Sequence, residues 1–200
     1  MKDMLDPPFV EDAPVDGADW AHASGWAQLS GRRRRLTCLV SCCDQAMLMA
    51  HLLPRLSDML TECGYPWELL VIDRGSADAT PDLARAWTEL PGFRCLRVDS
   101  TGRDGRDIEA GLLAARGDAV VVVDPEIGVI ALEAVRRLVL AWEDDAVLAH
   151  AADDPRDGST HAWTAEQVQR GLAQGDWTLP PACLRLGLLD RRVVDWLVAA

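Results

Sequence analysis

At 200 residues, 49% of them hydrophobic, the chain can bury one substantial core and is read as a single domain. A formal net charge of -12 excludes a general nucleic-acid binder, which needs a basic surface to neutralise phosphates. The six cysteines, at positions 38, 42, 43, 63, 95 and 183, have neither zinc-site spacing nor the density of a secreted disulfide scaffold, so they read as reduced thiols of a cytoplasmic protein.

Residues 1–31 hold Pro7, Pro8 and Pro14, many carboxylates and little periodicity. They are expected to form an acidic, weakly ordered lead, on which Trp20 and Trp26 are the side chains suited to packing. This opening is acidic where a signal peptide needs a basic start, and no apolar run reaches the roughly 18 residues of a membrane span. Residues 32–35 are four arginines, suited to a solvated flank or to peripheral contact with an anionic membrane.

From residue 36 the pattern becomes regular. Residues 36–40 form an apolar, strand-compatible run. Residues 47–63 carry Met49, Leu52, Leu53, Leu56 and Leu60 at helical spacing and stop at Gly64. Residues 67–72 predict a second buried strand. Thr80 and Pro81 then supply a cap and a first-turn proline for a helix to about residue 89. A third strand, 93–98, alternates visibly; 105–116 reads as a helix closed by Gly117. The Val-rich run 119–123 has the continuous hydrophobicity of a strand buried on both faces. Residues 130–142 are helical, 147–150 suit one more strand, and 151–160 form a polar loop. A helix is expected over 164–174 with Thr164 as its cap, and a closing helix from Asp190.

Strands alternating with helices predict an α/β fold with a mostly parallel sheet flanked by helices. Right-handed crossovers place the carboxyl ends of the strands on one edge, where such folds bind ligands. Four segments make that edge: 41–45, 73–76, 99–104 and 124–128.

Asp73 ends a strand and is suited to accept hydrogen bonds from a base or ribose, with Gly75 permitting close backbone approach and Ser76 adding a donor. Taken alone the segment is equally a polar turn. Asp124 and Glu126, two positions apart on extended chain, would project together, which suits a hard divalent cation and a diphosphate. They also suit a plain acidic turn. Asp104, Asp107 and Glu109 read as solvent-facing acids at a helix start. His51 reads as structural. His150 and His161 flank the polar loop without an assignable partner. Neither a GxGxxG nor a GxxxxGK[ST] motif is present.

Three ungapped blocks in fixed order carry a resemblance: LTCLVSCCDQAMLMAHLLPRL (36–56), WELLVIDRGSADAT (67–80) and GRDIEAGLLAARGDAVVVVDPE (105–126). Together they resemble the nucleotide-binding half of family 2 glycosyltransferases of the GT-A fold, nearest to the dolichyl- or polyprenyl-phosphate sugar transferase type. The resemblance covers a little over half the chain, with a looser likeness over 184–197. It implies residues 32–148 as the nucleotide-sugar-binding half and 149–200 as a shortened acceptor and closing region.

It further implies a nucleotide-diphospho-sugar donor, a Mg2+ or Mn2+ ion, and transfer with inversion to an acceptor hydroxyl or lipid phosphate. Ser41, Cys43 and Gln45 stand where the family's first loop approaches the nucleotide. Asp73 matches the first acid of the DDGS loop, and Asp124 and Glu126 the two acids of the metal-binding DxD motif. Asp153 or Asp154 is the expected catalytic base. Several positions depart from the pattern. Ser41 replaces a proline, Cys43 a tyrosine, and Arg74 stands where the second acid of DDGS belongs. A non-catalytic module that binds a nucleotide, a lipid-linked sugar or a protein partner is the alternative.

Overall fold

The computed structural model describes residues 34–98, 106–128, 130–152, 158–174 and 177–199. The acidic lead, the edge segment 99–104, Asp104, and both Asp153 and Asp154 lie outside the described residues. In chain order the elements are β1 (Leu36–Cys42), α1 (Ala46–Glu62), β2 (Trp67–Asp73), α2 (Thr80–Thr88), β3 (Phe93–Arg97), α3 (Arg106–Ala114), β4 (Ala119–Val123) and α4 (Ile130–Glu143). They continue with β5 (Ala146–Ala151), β6 (Thr160–Thr164), α5 (Ala165–Gln174), the single turn α6 (Cys183–Leu186), β7 (Gly187–Asp190) and α7 (Arg191–Ala199).

One seven-stranded sheet runs β3-β2-β1-β4-β7-β5-β6. The first four strands are mutually parallel; β7 pairs antiparallel with both β4 and β5, and β6 antiparallel with β5. Strand β5 therefore runs with the parallel set, and its carboxyl end lies on the same edge as that of β4. Neither β6 nor β7 follows from the sequence reading. The burial of β6 has no apolar alternation, and β7 is four residues long within a segment read as closing structure.

The Val-rich run is buried on both faces because helices cover both. Ala119, Val121 and Val123 enter a core with α1 and α4. Val120 and Val122 enter a second core with α3, α5 and α7. Each valine removed from water contributes about 1.5–3 kcal/mol before chain entropy is counted.

Two caps differ in outcome. Thr164 caps α5 reciprocally: its hydroxyl accepts the Gln167 N–H at 3.5 Å, and Gln167 Oε1 accepts the Thr164 N–H at 2.8 Å. Thr80 does not cap α2. The helix begins at Thr80, and its hydroxyl instead accepts the Gln45 N–H at 3.0 Å.

At the sheet end opposite the ligand edge, buried Glu68 accepts from Thr37 Oγ1 at 2.7 Å, from the Arg116 N–H at 2.6 Å and from Arg94 at 3.0 Å. This network holds β1, β2 and the entry to β4 in register.

Candidate functional site

The loops after β1 and β2 form one structure. Asp44 adopts a left-handed backbone, φ 52°, and its Oδ1 accepts the N–H groups of Ala77 at 2.7 Å and Asp78 at 3.1 Å. In return the Asp44 N–H donates to Ser76 Oγ at 3.0 Å, and the Ala46 N–H donates to Asp78 Oδ2 at 3.1 Å. Hydrogen bonds from Thr80 and Ala46 hold the Asp78 carboxyl below the ordinary aspartate range.

Asp73 sits beneath this lacing. Its side chain is 2% exposed; Oδ1 accepts the Ser76 N–H at 2.9 Å and Oδ2 lies 3.4 Å from Arg97 Nη1. Gly75 follows at φ 80°, the left-handed conformation the turn requires. The structure thus gives Asp73, Gly75 and Ser76 a turn-building arrangement, and none of them lines the cleft described next. Cys43 is half-buried in the first loop and also lies off that cleft.

A cleft of about 370 Å³ opens at the carboxyl ends of β1 and β4, lined by Ser41, Gln45, Arg74, Asp107, Asp124, Glu126 and Arg185 among others. Four residues singled out in the sequence, Ser41, Gln45, Asp124 and Glu126, meet here. Gln45 Oε1 is buried without a hydrogen-bond partner among the described residues, leaving an acceptor for a ligand N–H or O–H.

Both acids line the cleft, but they do not lie on the extended chain that the strand alternation supposed. Pro125–Ile127 form a 3-10 turn, and Asp124 caps it, its Oδ1 accepting the Glu126 N–H at 2.9 Å. Among the described residues the second oxygen, Oδ2, receives only the long contact from Arg185 Nε at 3.4 Å. Two carboxylates with one displaceable oxygen contact fit a hard divalent cation whose remaining ligands come from phosphate and water. Among the described residues no group of three or more His, Cys, Asp or Glu converges on a point, so the chain would supply at most this pair.

Asp107 is not the solvent-facing acid expected of a helix start. It is 6% exposed, accepts a hydrogen bond from Ser41 Oγ, and faces Arg74 Nε at 3.7 Å. Arg74, in the place of the family's second acid, is thereby answered by a carboxylate from α3. Arg185 also escaped the sequence reading, because only the pairing of β7 with β4 brings it here. His150 and His161 stack with ring centroids 5.0 Å apart, beside Trp163, and neither lines the cleft.

The profile of glycosyl transferase family 2 matches residues 37–191. An uncharacterized glycosyltransferase of Synechocystis is 26% identical over 153 residues, 74% of this chain and 47% of its own length. Among solved structures, a mannosyltransferase of Pyrobaculum calidifontis in complex with GDP-Man and Mn2+ superposes with a TM-score of 0.58 at 22% identity, over 89% of this chain and 52% of the other. Glucosyl-3-phosphoglycerate synthase of Mycobacterium tuberculosis gives 0.54 at 19% identity, over 89% of this chain and 62% of its own. The chain spans about half the length of the relatives it matches first. Among the described residues no helix is long and apolar enough to cross a membrane. With a profile match over most of its length and an α/β sheet of the GT-A type, the chain belongs to glycosyl transferase family 2.

Proposed function

We propose that this chain transfers a glycosyl group from a nucleotide-diphospho-sugar to an acceptor hydroxyl or lipid phosphate, with inversion at the anomeric carbon. One observation carries the reading: Asp124 and Glu126, at the end of a central strand, line the same cleft as Ser41 and Gln45. The resemblance assigns the first pair to a cation and the second to the nucleotide. The relatives of known structure support it, since the mannosyltransferase is complexed with GDP-Man and Mn2+.

In this reading Asp124 and Glu126 hold Mg2+ or Mn2+, which when bound neutralises charge on the leaving diphosphate. Gln45 Oε1 accepts from the nucleoside, and Ser41 Oγ, kept in place by Asp107, faces the diphosphate. Asp73, Gly75, Ser76 and Cys43 shape the loop pair around the nucleotide. Asp153 or Asp154, in the sequence that follows β5, would remove the acceptor proton.

The test is calorimetric titration with UDP- and GDP-sugars, with and without Mn2+. Metal-dependent binding that disappears in Asp124→Ala supports the donor site; no binding at millimolar nucleotide sinks it. The Arg74–Asp107 pair, a departure in the heart of the cleft, favours the second reading of a binding module without catalysis. Nucleotide binding without turnover of any sugar nucleotide, whether by transfer or hydrolysis, would select that module.

A further inference from the structure

The donor-site reading gives Arg185, a cation of the cleft, no task. Arg185 belongs to α6, and its carbonyl accepts the Asp124 N–H at 2.6 Å while neighbouring Leu186 bridges Val123. These backbone contacts fix the residue beside the acid. Its side chain remains 63% exposed, and Nε reaches Asp124 Oδ2 at 3.4 Å. The other oxygen of Asp124 is committed to the Glu126 N–H. The oxygen best placed for a divalent cation is therefore the one Arg185 now holds.

A guanidinium and a divalent cation repel one another and compete for a single carboxylate oxygen. An exposed pair at this distance is weak, so a cation displaces the arginine at little cost. The displaced guanidinium stays anchored at the cleft wall by its backbone. Its planar fork of donors matches a phosphate.

We propose that Arg185 holds the Asp124 carboxylate until a divalent cation takes it, and then grips the donor's diphosphate. Cation and nucleoside diphosphate consequently bind with positive coupling, each raising the affinity of the other. This inference rests on the donor-site reading above.

The experiment measures two affinities in the whole chain and in Arg185→Gln: Mn2+ alone, by the electron paramagnetic resonance signal of the free ion, and UDP or GDP at fixed Mn2+, by calorimetry. Arg185→Gln is expected to bind Mn2+ alone about two- to five-fold more tightly, as a weak competing pair is removed. It is expected to bind the nucleoside diphosphate about ten-fold more weakly, through loss of a charge-assisted contact. A merely structural role would weaken both together, and that result, or no change in either affinity, overturns the proposal. Arg185→Lys keeps the charge and loses the fork; native Mn2+ affinity with reduced nucleotide affinity is expected, and undiminished nucleotide affinity overturns the phosphate contact. Should the unaltered chain bind neither UDP nor GDP, the donor-site reading fails and takes this inference with it. If it binds one of them and Arg185→Gln binds it equally, only this inference fails.

Discussion

Asp44 Oδ1 accepts the backbone N–H of Ala77 at 2.7 Å, joining the loop after β1 to the loop after β2 across more than thirty positions of sequence. The same oxygen takes the Asp78 N–H, and the Asp44 backbone is left-handed, φ 52°. Asp44→Ala loses both hydrogen bonds and places a residue poorly suited to that conformation. A loss of about 1–2 kcal/mol is expected in urea unfolding, and Asp44→Asn, which tolerates the backbone and keeps an acceptor, should lose less than half of it.

Two glycines separate close approach from backbone conformation. A Cβ on Gly117 would stand 2.5 Å from the Thr37 backbone nitrogen, between β1 and β4, where neither strand can yield. A Cβ on Gly75 meets nothing within 4 Å, and only its φ of 80° opposes substitution. Gly117→Ala is expected to cost about 2–3 kcal/mol and Gly75→Ala about 1–2 kcal/mol. The reverse order in equilibrium unfolding would show that strain at the loop outweighs crowding in the sheet.

Glu68 sets a pH dependence. Burial by itself raises its carboxyl, but hydrogen bonds from Thr37, the Arg116 N–H and Arg94 prevail and hold it below the ordinary glutamate range. A carboxyl lowered on folding contributes stability that is fully present above its unfolded value and is lost as pH falls through the folded one. Glu68→Gln should therefore be less stable than the native chain at neutral pH, by about 1–3 kcal/mol. The gap should narrow as pH falls below the glutamate range, measured as thermal midpoints across an acid series.

The cysteines divide by burial. Desolvation pushes the thiols of Cys38, Cys42 and Cys183 up to about 12, while Cys43 is half-exposed in the first loop. Partial desolvation also raises Cys63 and Cys95, each by a smaller margin, although Cys95 is exposed at the surface. Iodoacetamide at neutral pH is expected to label the exposed Cys95 and the half-exposed Cys43 and to spare Cys38, Cys42 and Cys183 in the folded chain, read by peptide mass spectrometry. Protection of Cys43 by UDP or GDP with Mn2+ would place the nucleotide against this loop.

Much of the fold is legible residue by residue. The helical spacing of Met49, Leu52, Leu53, Leu56 and Leu60 gives α1, and all five are buried against the sheet. The unbroken valines of β4 announce a strand covered on both faces, and Thr164 announces a cap. Asp124 and Glu126 are legible because they immediately follow such a strand. They sit on a capped turn, which their spacing alone does not distinguish from extended chain.

Local order is readable in the residues for β1 to β5 and for α1 to α5, as are the acids that fall at the carboxyl ends of strands. Periodicity and turn chemistry act over a few residues and suffice for that. Long-range packing alone sets β7 between β4 and β5, turns Asp107 inward to meet Ser41 and Arg74, and brings Arg185 to Asp124 across 61 positions. Those placements follow from satisfying edge strands and buried charges over the whole sheet at once, a condition that no short stretch of sequence contains.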